Sequence, residues 1–138
     1  MKQFHLSRTV AYAVQATIHL AESDFSRPVP CSRLAKEGNM PERFLLQILR
    51  SLVTHGILKS TRGVDGGYTL TRPPREISLL DVIEAIEGPF SSGVAEVGQQ
   101  PAPTAQQKLS EALQEVATSA RQQLEAIKFS QLIEPAKS

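Results

Sequence analysis

The chain of 138 residues is long enough for one compact domain with an attached element, and it is too short for two full hydrophobic cores. Its net charge is only +1, yet residues 1–75 carry 11 Lys and Arg against 5 Asp and Glu, whereas residues 76–138 carry 4 against 9. The basic half suits a polyphosphate partner such as nucleic acid, and the acidic half does not.

Four helices and one hairpin are predicted for the first 89 residues. Apolar side chains recur at spacings of three and four. The cap residues Ser7 and Pro41 and the turn residues Gly38 and Asn39, which are expected to be left-handed, mark element boundaries. Ser78 followed by Asp81 is typical of a capping box. The predicted helices cover residues 8–21, 32–37, 41–55 and 79–87, and the predicted strands cover residues 57–60 and 68–71.

The third predicted helix is the most regular of these elements. Its apolar residues follow the i, i+3, i+4, i+7 pattern of a buried stripe: Leu45, Ile48, Leu49 and Leu52. Residues 61–67 form a glycine-rich loop between the two strands, as in a β-hairpin. A helix-turn-helix followed directly by a hairpin predicts a mainly α fold with a small β-hairpin wing. Residues 1–89 are therefore interpreted as a winged helix-turn-helix DNA-binding domain.

The acidic half is predicted to contain a linker and one long helix. Residues 90–104 lack periodicity and are rich in Ser, Gly, Gln and Pro, which indicates a flexible linker. Helical periodicity returns from about residue 105 to residue 129, and residues 105–138 are interpreted as a dimerisation helix and tail. Its apolar stripe consists of Leu109, Leu113, Val116, Ala120, Leu124 and Ile127. A second copy of the chain would bury this stripe; alternatively, the helix folds back onto the first helix of its own chain.

The face of the third helix opposite its buried stripe carries groups suited to base edges. Arg43, Leu46, Gln47 and Arg50 lie there. Arg can bond guanine O6 and N7, Gln can bond adenine N6 and N7, and Leu can contact a thymine methyl group. Because a helix-turn-helix presents its second helix to the major groove, we expect this face to read the sequence. Glu42 would accept from a cytosine amino group or, alternatively, interact with the helix dipole.

The hairpin and the second helix extend this predicted surface. Arg62 at the loop tip would enter a narrow minor groove, or it is a solvated loop charge. Glycines in the loop would let the backbone approach phosphates closely. The residues assigned to DNA contact are Arg33, Lys36, Glu42, Arg43, Leu46, Gln47, Arg50, Lys59, Arg62, Gly66, Gly67, Tyr68 and Arg72.

Cys31 is the single cysteine, which excludes an internal disulfide and an all-cysteine metal site within one chain. A helix dipole at this position would lower the thiol pKa and make Cys31 a redox-reactive thiol. The alternative, which we favour, is a small residue that packs at the helix start. The three histidines are too scattered for an i, i+4 metal pair, so no metal or other cofactor is expected. Nothing in the spacing of Cys31 and the histidines suggests an enzyme.

The chain lacks the features of a membrane or exported protein. Its N-terminus has no long apolar run of the signal-peptide type, and no stretch approaches the roughly 18–20 apolar residues that cross a bilayer. A chain with one cysteine also suits the reducing cytoplasm. We therefore expect a cytoplasmic protein that contacts no membrane.

Three segments resemble the Rrf2 family of winged-helix regulators, which includes the IscR, NsrR and CymR types. The most specific segment is RGVDGGYTLTRP at residues 62–73, within a similarity that covers residues 43–88. ISLLDVIEAIEG follows at residues 77–88, and RTVAYAVQATIHLA at residues 8–21 fits as well. The resemblance is good over residues 6–88 and only architectural beyond them.

The resemblance implies a homodimer that binds an imperfectly palindromic operator. The third helix would place Arg43, Leu46 and Gln47 at base edges, and the wing would place Arg62 at the minor groove. The long C-terminal helix would carry the dimer contact. Iron–sulfur members of the family often have glutamate where Leu46 stands, so the preferred DNA sequence is expected to differ from theirs.

The family's iron–sulfur ligands are missing from this chain. Those members hold the cluster with three cysteines and a further ligand in the stretch corresponding to residues 89–107, which contains no cysteine. Some members use an aspartate at the position of Ala11 instead. The resemblance therefore implies the cluster-free branch, whose members respond to partner proteins, thiol chemistry or other signals.

The function predicted from the sequence is that of a DNA-binding transcriptional regulator, a repressor, that acts as a homodimer without an iron–sulfur cluster. A regulatory protein partner is a further expectation. The alternative is a winged-helix module that acts through a protein partner without specific DNA binding. Arg43, Gln47 and Arg62 discriminate between the two, because a module of that kind has no reason to keep base-reading groups at these positions.

Overall fold

The computed structural model describes residues 5–23, 27–90 and 102–133. Its elements in chain order are α1 (Arg8–Glu22), α2 (Cys31–Gly38), α3 (Glu42–Thr54), β1 (Leu58–Thr61), β2 (Gly67–Leu70), α4 (Leu79–Glu87) and α5 (Pro103–Ala126). The predicted mainly helical fold with a small hairpin is confirmed, and no predicted boundary is displaced by more than three residues. None of the helices in these ranges is long and apolar enough to cross a membrane.

Side-chain caps begin α1 and α4 as predicted. The Ser7 hydroxyl accepts a hydrogen bond from the Val10 N–H at 3.2 Å. At α4, the Asp81 N–H donates to Ser78 Oγ at 3.0 Å, and the Ser78 N–H donates to Asp81 Oδ2 at 2.9 Å. These bonds complete the capping box and satisfy N–H groups that the helix itself leaves unpaired.

The turn between α2 and α3 was predicted to use Gly38 and Asn39 as left-handed residues. Asn39 is left-handed, with a φ of 51°, as predicted, whereas Gly38 is the last residue of α2. Pro41 is the N-cap of α3 and does not lie within its first turn. Asparagine tolerates the left-handed conformation better than most residues, so Asn39 closes this turn without a glycine.

The core is centred on α3, which packs against α1, α2 and α4. The predicted buried stripe of α3 is confirmed, since Leu45, Ile48, Leu49 and Leu52 are each at most 3% exposed. On α1, Ala16 and Leu20 are buried, whereas Val14 and Ile18 are only half-buried. Burial of one large apolar side chain contributes about 1.5–3 kcal/mol. Because α3 is buried on one side only, its other face is exposed.

The hairpin is joined to the helices through Val29. Leu58 of β1 pairs with Leu70 of β2, and both are buried against the helical core. The Val29 N–H donates to the Tyr68 carbonyl oxygen at 3.0 Å, and the Tyr68 N–H donates back to the Val29 carbonyl oxygen at 2.9 Å. Since Val29 lies two residues before α2, this pairing fixes the base of the wing relative to α2.

Helix α5 begins and ends earlier than predicted. It starts at Pro103, inside the predicted linker, and ends at Ala126. Residues 91–101 of that linker lie outside the described residues.

After α5 the chain returns to the domain formed by residues 5–90, a contact that no pattern in the sequence indicated. The Leu79 N–H donates to the Ile127 carbonyl oxygen at 2.8 Å, and the Phe129 N–H donates to the Ile77 carbonyl oxygen at 3.0 Å. The Phe129 ring is fully buried in the core that α1, α3 and α4 form. The segment after α5 is therefore part of the domain core as well as the end of the long helix.

We expect Phe129→Ala to lower the free energy of unfolding by about 3–5 kcal/mol, because loss of a fully buried ring leaves a cavity in the core. Urea unfolding followed by circular dichroism measures this change. Leu132→Ala is the matched control, since Leu132 is 41% exposed and its truncation should cost less than about 1 kcal/mol. Equal losses for the two variants would contradict the burial of Phe129.

Candidate nucleic-acid interface

The exposed face of α3 presents three polar side chains in a line. Arg43, Gln47 and Arg50 are all exposed, and we call them the α3 row. At 100° per residue they lie within about 60° of one another around the helix axis. Leu46 was predicted on the same face, but it is half-buried and lies between the row and the core. The row therefore offers two guanidinium groups and one amide to a partner, with Leu46 at its edge.

Cys31 connects the start of α2 to the start of α3. It is the first residue of α2, and its Sγ donates to the Glu42 carbonyl oxygen at 3.7 Å. Burial raises the pKa of the Cys31 thiol, and the nearby Glu42 carboxylate raises it further. A raised pKa is the opposite of what a redox-reactive thiolate requires, so the geometry favours the packing interpretation. Glu42 itself is exposed in the first turn of α3, where a negative charge favours the helix dipole.

The wing lies beside the α3 row. Lys59 on β1 and Arg62 just after it are exposed, and Tyr68 on β2 is half-buried. Burial raises the pKa of the Tyr68 hydroxyl, the charge of Cys31 raises it further, and the positive charge of Arg50 lowers it. Tyr68 pairs with Val29 just before α2 and packs against the same core as Cys31, while Arg50 of the α3 row acts on its hydroxyl electrostatically. The two helices and the wing therefore meet around this tyrosine.

The two glycines assigned to DNA contact have a role within the fold. Gly67 has a φ of 151°, and a Cβ atom there would overlap the backbone of Val29. A Cβ atom on Gly66 would overlap the Thr61 carbonyl oxygen across the hairpin. Close approach of backbone to backbone therefore accounts for both glycines, and their contact with phosphates stays a prediction.

Arg72 was also assigned to DNA contact, but its guanidinium is bonded within the fold. Its Nε donates to the Glu76 carbonyl oxygen at 3.2 Å, and its Nη2 donates to Asp81 Oδ2 at 3.2 Å. The second bond reaches the carboxylate that caps α4. Arg72 thus stabilises the junction between the wing and α4, and a DNA contact by its guanidinium would compete with these bonds.

The basic residues of α2 lie at the surface. Arg33 and Lys36 are both exposed. Arg33 Nε donates to Glu37 Oε1 at 2.9 Å, one turn along the helix, and this hydrogen bond lowers the pKa of the Glu37 carboxyl. Both basic side chains are therefore accessible to a partner, and their contact with phosphates stays a prediction.

An open cleft that no pattern in the sequence indicated separates the wing tip from the start of α2. Its volume is about 610 Å³. The lining residues are Arg27, Pro28, Pro30, Arg33, Val64, Asp65 and Gly66. Arg27 was missed because it lies in an aperiodic loop, where a single charge predicts nothing by itself. The cleft brings it together with Arg33 on the side of the domain that carries the wing.

The predicted dimerisation stripe divides into two parts. Val116 is 64% exposed, Leu109 is 45% exposed, and Leu113 and Ala120 are half-buried. Leu124, in contrast, is buried in a cluster with three residues of its own chain, namely Val10, Leu80 and Ile83. Ile127 is half-buried just beyond the helix. The C-terminal end of α5 thus packs on its own domain, while the preceding turns keep an apolar face exposed.

A hydrogen-bonded carboxylate reinforces the contact between α4 and α5. Glu84 Oε2 accepts from Arg121 Nη1 at 2.6 Å and from the Phe90 N–H at 2.7 Å. Burial alone would raise the pKa of Glu84, but these two hydrogen bonds outweigh it and hold the pKa below its usual range. Glu84 therefore stays ionised at neutral pH and joins α4, α5 and the start of the segment between them.

The donor groups of the chain do not fit an iron–sulfur cluster. The whole sequence contains one cysteine, and such clusters are held mainly by cysteine thiolates. In the part of the chain that the structure describes, no three His, Cys, Asp or Glu side chains are grouped to hold a metal ion.

The chain is similar to known regulators of transcription. The Rrf2 family model, described as an iron-dependent transcriptional regulator, matches residues 6–135. A Mycobacterium tuberculosis protein, provisionally named an HTH-type transcriptional regulator, is 40% identical over 93 residues, which are 67% of this chain and 57% of that protein.

Two solved structures are similar to nearly the whole chain. CymR, described as the global cysteine regulator of B. subtilis, has a TM-score of 0.73 at 26% identity over 94% of this chain and 96% of CymR. IscR of T. potens has a TM-score of 0.70 at 27% identity over 94% of this chain and 85% of IscR. The chain spans a little over half the length of the curated relatives that it matches, 57% of the first. These relatives are named as regulators of transcription and not as enzymes.

We expect Gly67→Ala to destabilise the protein by about 1–3 kcal/mol, because it combines a strained φ with an overlap against Val29. Gly63→Ala is the matched control: Gly63 also has a positive φ, of 113°, but a Cβ atom there meets open space. Urea unfolding and amide exchange at Val29 and Tyr68 measure the difference. Equal losses in the two variants would contradict a role for the close approach at Gly67.

Proposed function

The chain belongs to the Rrf2 family of transcriptional regulators, as its motifs indicated, and from this membership we propose its specific function. It is a sequence-specific DNA-binding repressor that acts as a homodimer on a palindromic operator and carries no iron–sulfur cluster. The observation that carries the proposal is the α3 row, an exposed line of Arg43, Gln47 and Arg50 on a helix whose opposite face is buried.

The α3 row has the chemistry of a major-groove reader. Arg43 and Arg50 can each donate two parallel hydrogen bonds to guanine O6 and N7, and Gln47 can donate to and accept from adenine. Leu46 at the edge of the row can contact a thymine methyl group. Such base contacts select a sequence, and a row of three matches the three or four side chains that a recognition helix typically uses.

The residues around the row supply contacts that do not depend on sequence. Lys59, Arg33 and Lys36 are exposed cations that would bind phosphates. Arg62 in the wing would enter the adjacent minor groove, where the potential is most negative when the groove is narrow. Phosphate contacts hold the domain in register so that the α3 row meets the correct base edges.

The exposed part of α5 supports a homodimer. Leu109 and Val116 lie on one face of the helix, with Leu113 and Ala120 beside them. An apolar face of this kind is stabilised when a second copy covers it around a two-fold axis. Leu124 is already covered by its own chain, so the proposed dimer contact is confined to residues 109–120. Two recognition helices related by a two-fold axis require an operator with matching palindromic symmetry.

Repression is the simplest consequence of this binding mode. A dimer that covers two half-sites excludes other proteins from the same stretch of duplex. It needs no separate contact with the transcription machinery to have that effect. The proposal therefore assigns the chain to repression, and reporter expression with and without the protein distinguishes repression from activation.

The cluster-free state is supported by the donor groups of this chain. Its one cysteine, Cys31, has a raised pKa, whereas a cluster ligand must be a thiolate. We expect purified protein to contain no bound iron and to show no cluster absorbance in the visible range. Metal analysis that finds iron at one cluster per chain would contradict this part of the proposal.

We expect Gln47→Ala and Lys59→Ala to affect DNA binding differently. Gln47→Ala should relax the preference at one base pair by about 1–3 kcal/mol, because it removes a base contact. Lys59→Ala should weaken binding to all duplexes alike and reduce the slope of log K against log salt by about 1, because it removes a phosphate contact. Selection of binding sites from random duplexes, followed by titrations at several salt concentrations, measures both effects.

Two results would contradict this assignment. If selection with the unmodified chain enriches no motif, specific DNA binding is excluded and the alternative, a module that acts through a protein partner, takes its place. If the two variants lose the same affinity on matched and mismatched sites, Gln47 does not read a base.

We expect Val116→Asp to produce a monomer that binds the operator much more weakly, because a charge on the exposed apolar face opposes its burial. Thr118→Asp is the matched control, since Thr118 is exposed and lies about 200° around the same helix. Sedimentation velocity gives the oligomeric state, and circular dichroism shows that both variants stay folded. A Val116→Asp variant that remains dimeric would exclude this face as the dimer contact.

A further inference from the structure

The tip of the wing carries an apolar side chain that none of the described residues covers. Val64 lies in a turn closed by a hydrogen bond from the Gly66 N–H to the Gly63 carbonyl oxygen at 3.0 Å. Among the large hydrophobic side chains that the structure describes as exposed, Val64 is the most exposed, at 104%. Turns favour Gly, Pro, Asn, Asp and Ser, so neither the turn nor the core accounts for a β-branched residue here.

The surroundings of Val64 match those of a minor-groove contact. Arg62 precedes it by two residues and is also exposed, and the cleft beyond it is lined by Arg27 and Arg33. Asp65 is the single acidic residue lining this cleft. Proteins that enter the minor groove use cations to read its width, and they frequently place an apolar side chain against the base steps. The wing tip presents this combination in three consecutive residues.

We propose that Val64 contacts the floor of the minor groove and selects against guanine at the base pair beneath the wing. The inference rests on the proposed function, in which the wing enters this groove. A·T and G·C pairs both present acceptors there, but only G·C adds the guanine 2-amino donor. Valine cannot accept a hydrogen bond from that amino group and displaces the water that otherwise would, which leaves the donor unpaired. Through Val64 the wing thus selects a base pair, in addition to the electrostatic attraction that Arg62 supplies.

The test compares three duplexes that differ at one base pair of the selected operator. The pair beneath the wing, located by hydroxyl-radical footprinting of the full chain on its operator, is A·T, G·C or inosine·C. Inosine keeps the major-groove edge of guanine but lacks the 2-amino group. We expect G·C to weaken binding about fivefold to tenfold relative to A·T and inosine·C to restore it.

The Val64→Thr variant tests whether the discrimination between A·T and G·C depends on the Val64 side chain. Threonine has nearly the same shape as valine, and its hydroxyl can accept a hydrogen bond from the guanine amino group. We expect the ratio between A·T and G·C to fall to within about twofold, with an unchanged salt dependence because no charge is altered. Arg62→Ala serves as the contrast: it should weaken binding to all three duplexes and lower the salt slope. Because Val64 is fully exposed, its substitution should leave the thermal melting unchanged.

Two results overturn the inference while leaving the proposed function intact. One is equal affinity of the unmodified chain for the three duplexes. The other is a Val64→Thr variant that still discriminates fully between A·T and G·C. The preference for A·T would then come from the groove width that Arg62 reads. A site selection that enriches no motif overturns the proposed function and this inference with it, so the two failures are distinguishable.

Discussion

The one-sided burial of α3 is the constraint on which the interface depends. Leu45, Leu49 and Leu52 are fully enclosed by α1, α2 and α4, so the helix cannot rotate about its axis without exposing them. Because side chains advance by 100° per residue along a rigid helix, fixing the inner face also fixes the direction of Arg43 and Gln47. The packing that stabilises the fold therefore also sets the direction in which the side chains of the α3 row point.

Backbone contacts rather than side chains set the position of the wing. The paired hydrogen bonds between Val29 and Tyr68 hold its base against the start of α2, and the absence of a side chain at Gly67 permits this approach. The tip beyond Gly63 has no such support among the described residues. A fixed base with an exposed tip is compatible with the proposed entry of the wing into a minor groove.

Local features of the fold could be predicted from the sequence, and contacts between distant segments could not. The α3 stripe and the Ser78 capping box depend on neighbours within four residues, so their patterns are visible in the chain. Phe129 is a single aromatic residue after a helix, and no periodicity reveals that it fills the core beside Ile77. For the same reason Arg72 was assigned to DNA on its charge alone, although its partner is the Asp81 carboxylate.

The same limit applies to α5. Its stripe is continuous in the sequence, and the prediction assigned the whole of it either to a second copy or to the first helix of its own chain. In the structure the stripe is shared, because Leu124 packs on α4 while Val116 stays exposed. Periodicity identifies an apolar face, but it does not state which partner covers each turn of the helix.

The contacts between α4 and α5 determine how a change at α5 could alter the spacing of the two α3 rows in the proposed dimer. Leu124, the Glu84–Arg121 ion pair and the buried Phe129 attach the C-terminal end of α5 to the domain that holds α3. In the proposed dimer the other part of the same helix contacts the second copy, so the crossing of the two α5 helices sets the distance between the two α3 rows. Half-sites must lie about 34–36 Å apart, or a multiple of that, for both rows to reach the major groove.

The pKa of Glu84 is lowered in the folded state. Its contribution to the stability of the α4–α5 contact is therefore complete above the ordinary carboxyl pKa, and it is lost only as the pH falls through the folded value. The connection is therefore intact near neutral pH, and a signal that releases α5 from α4 must overcome both an apolar cluster and an ion pair before it changes that spacing.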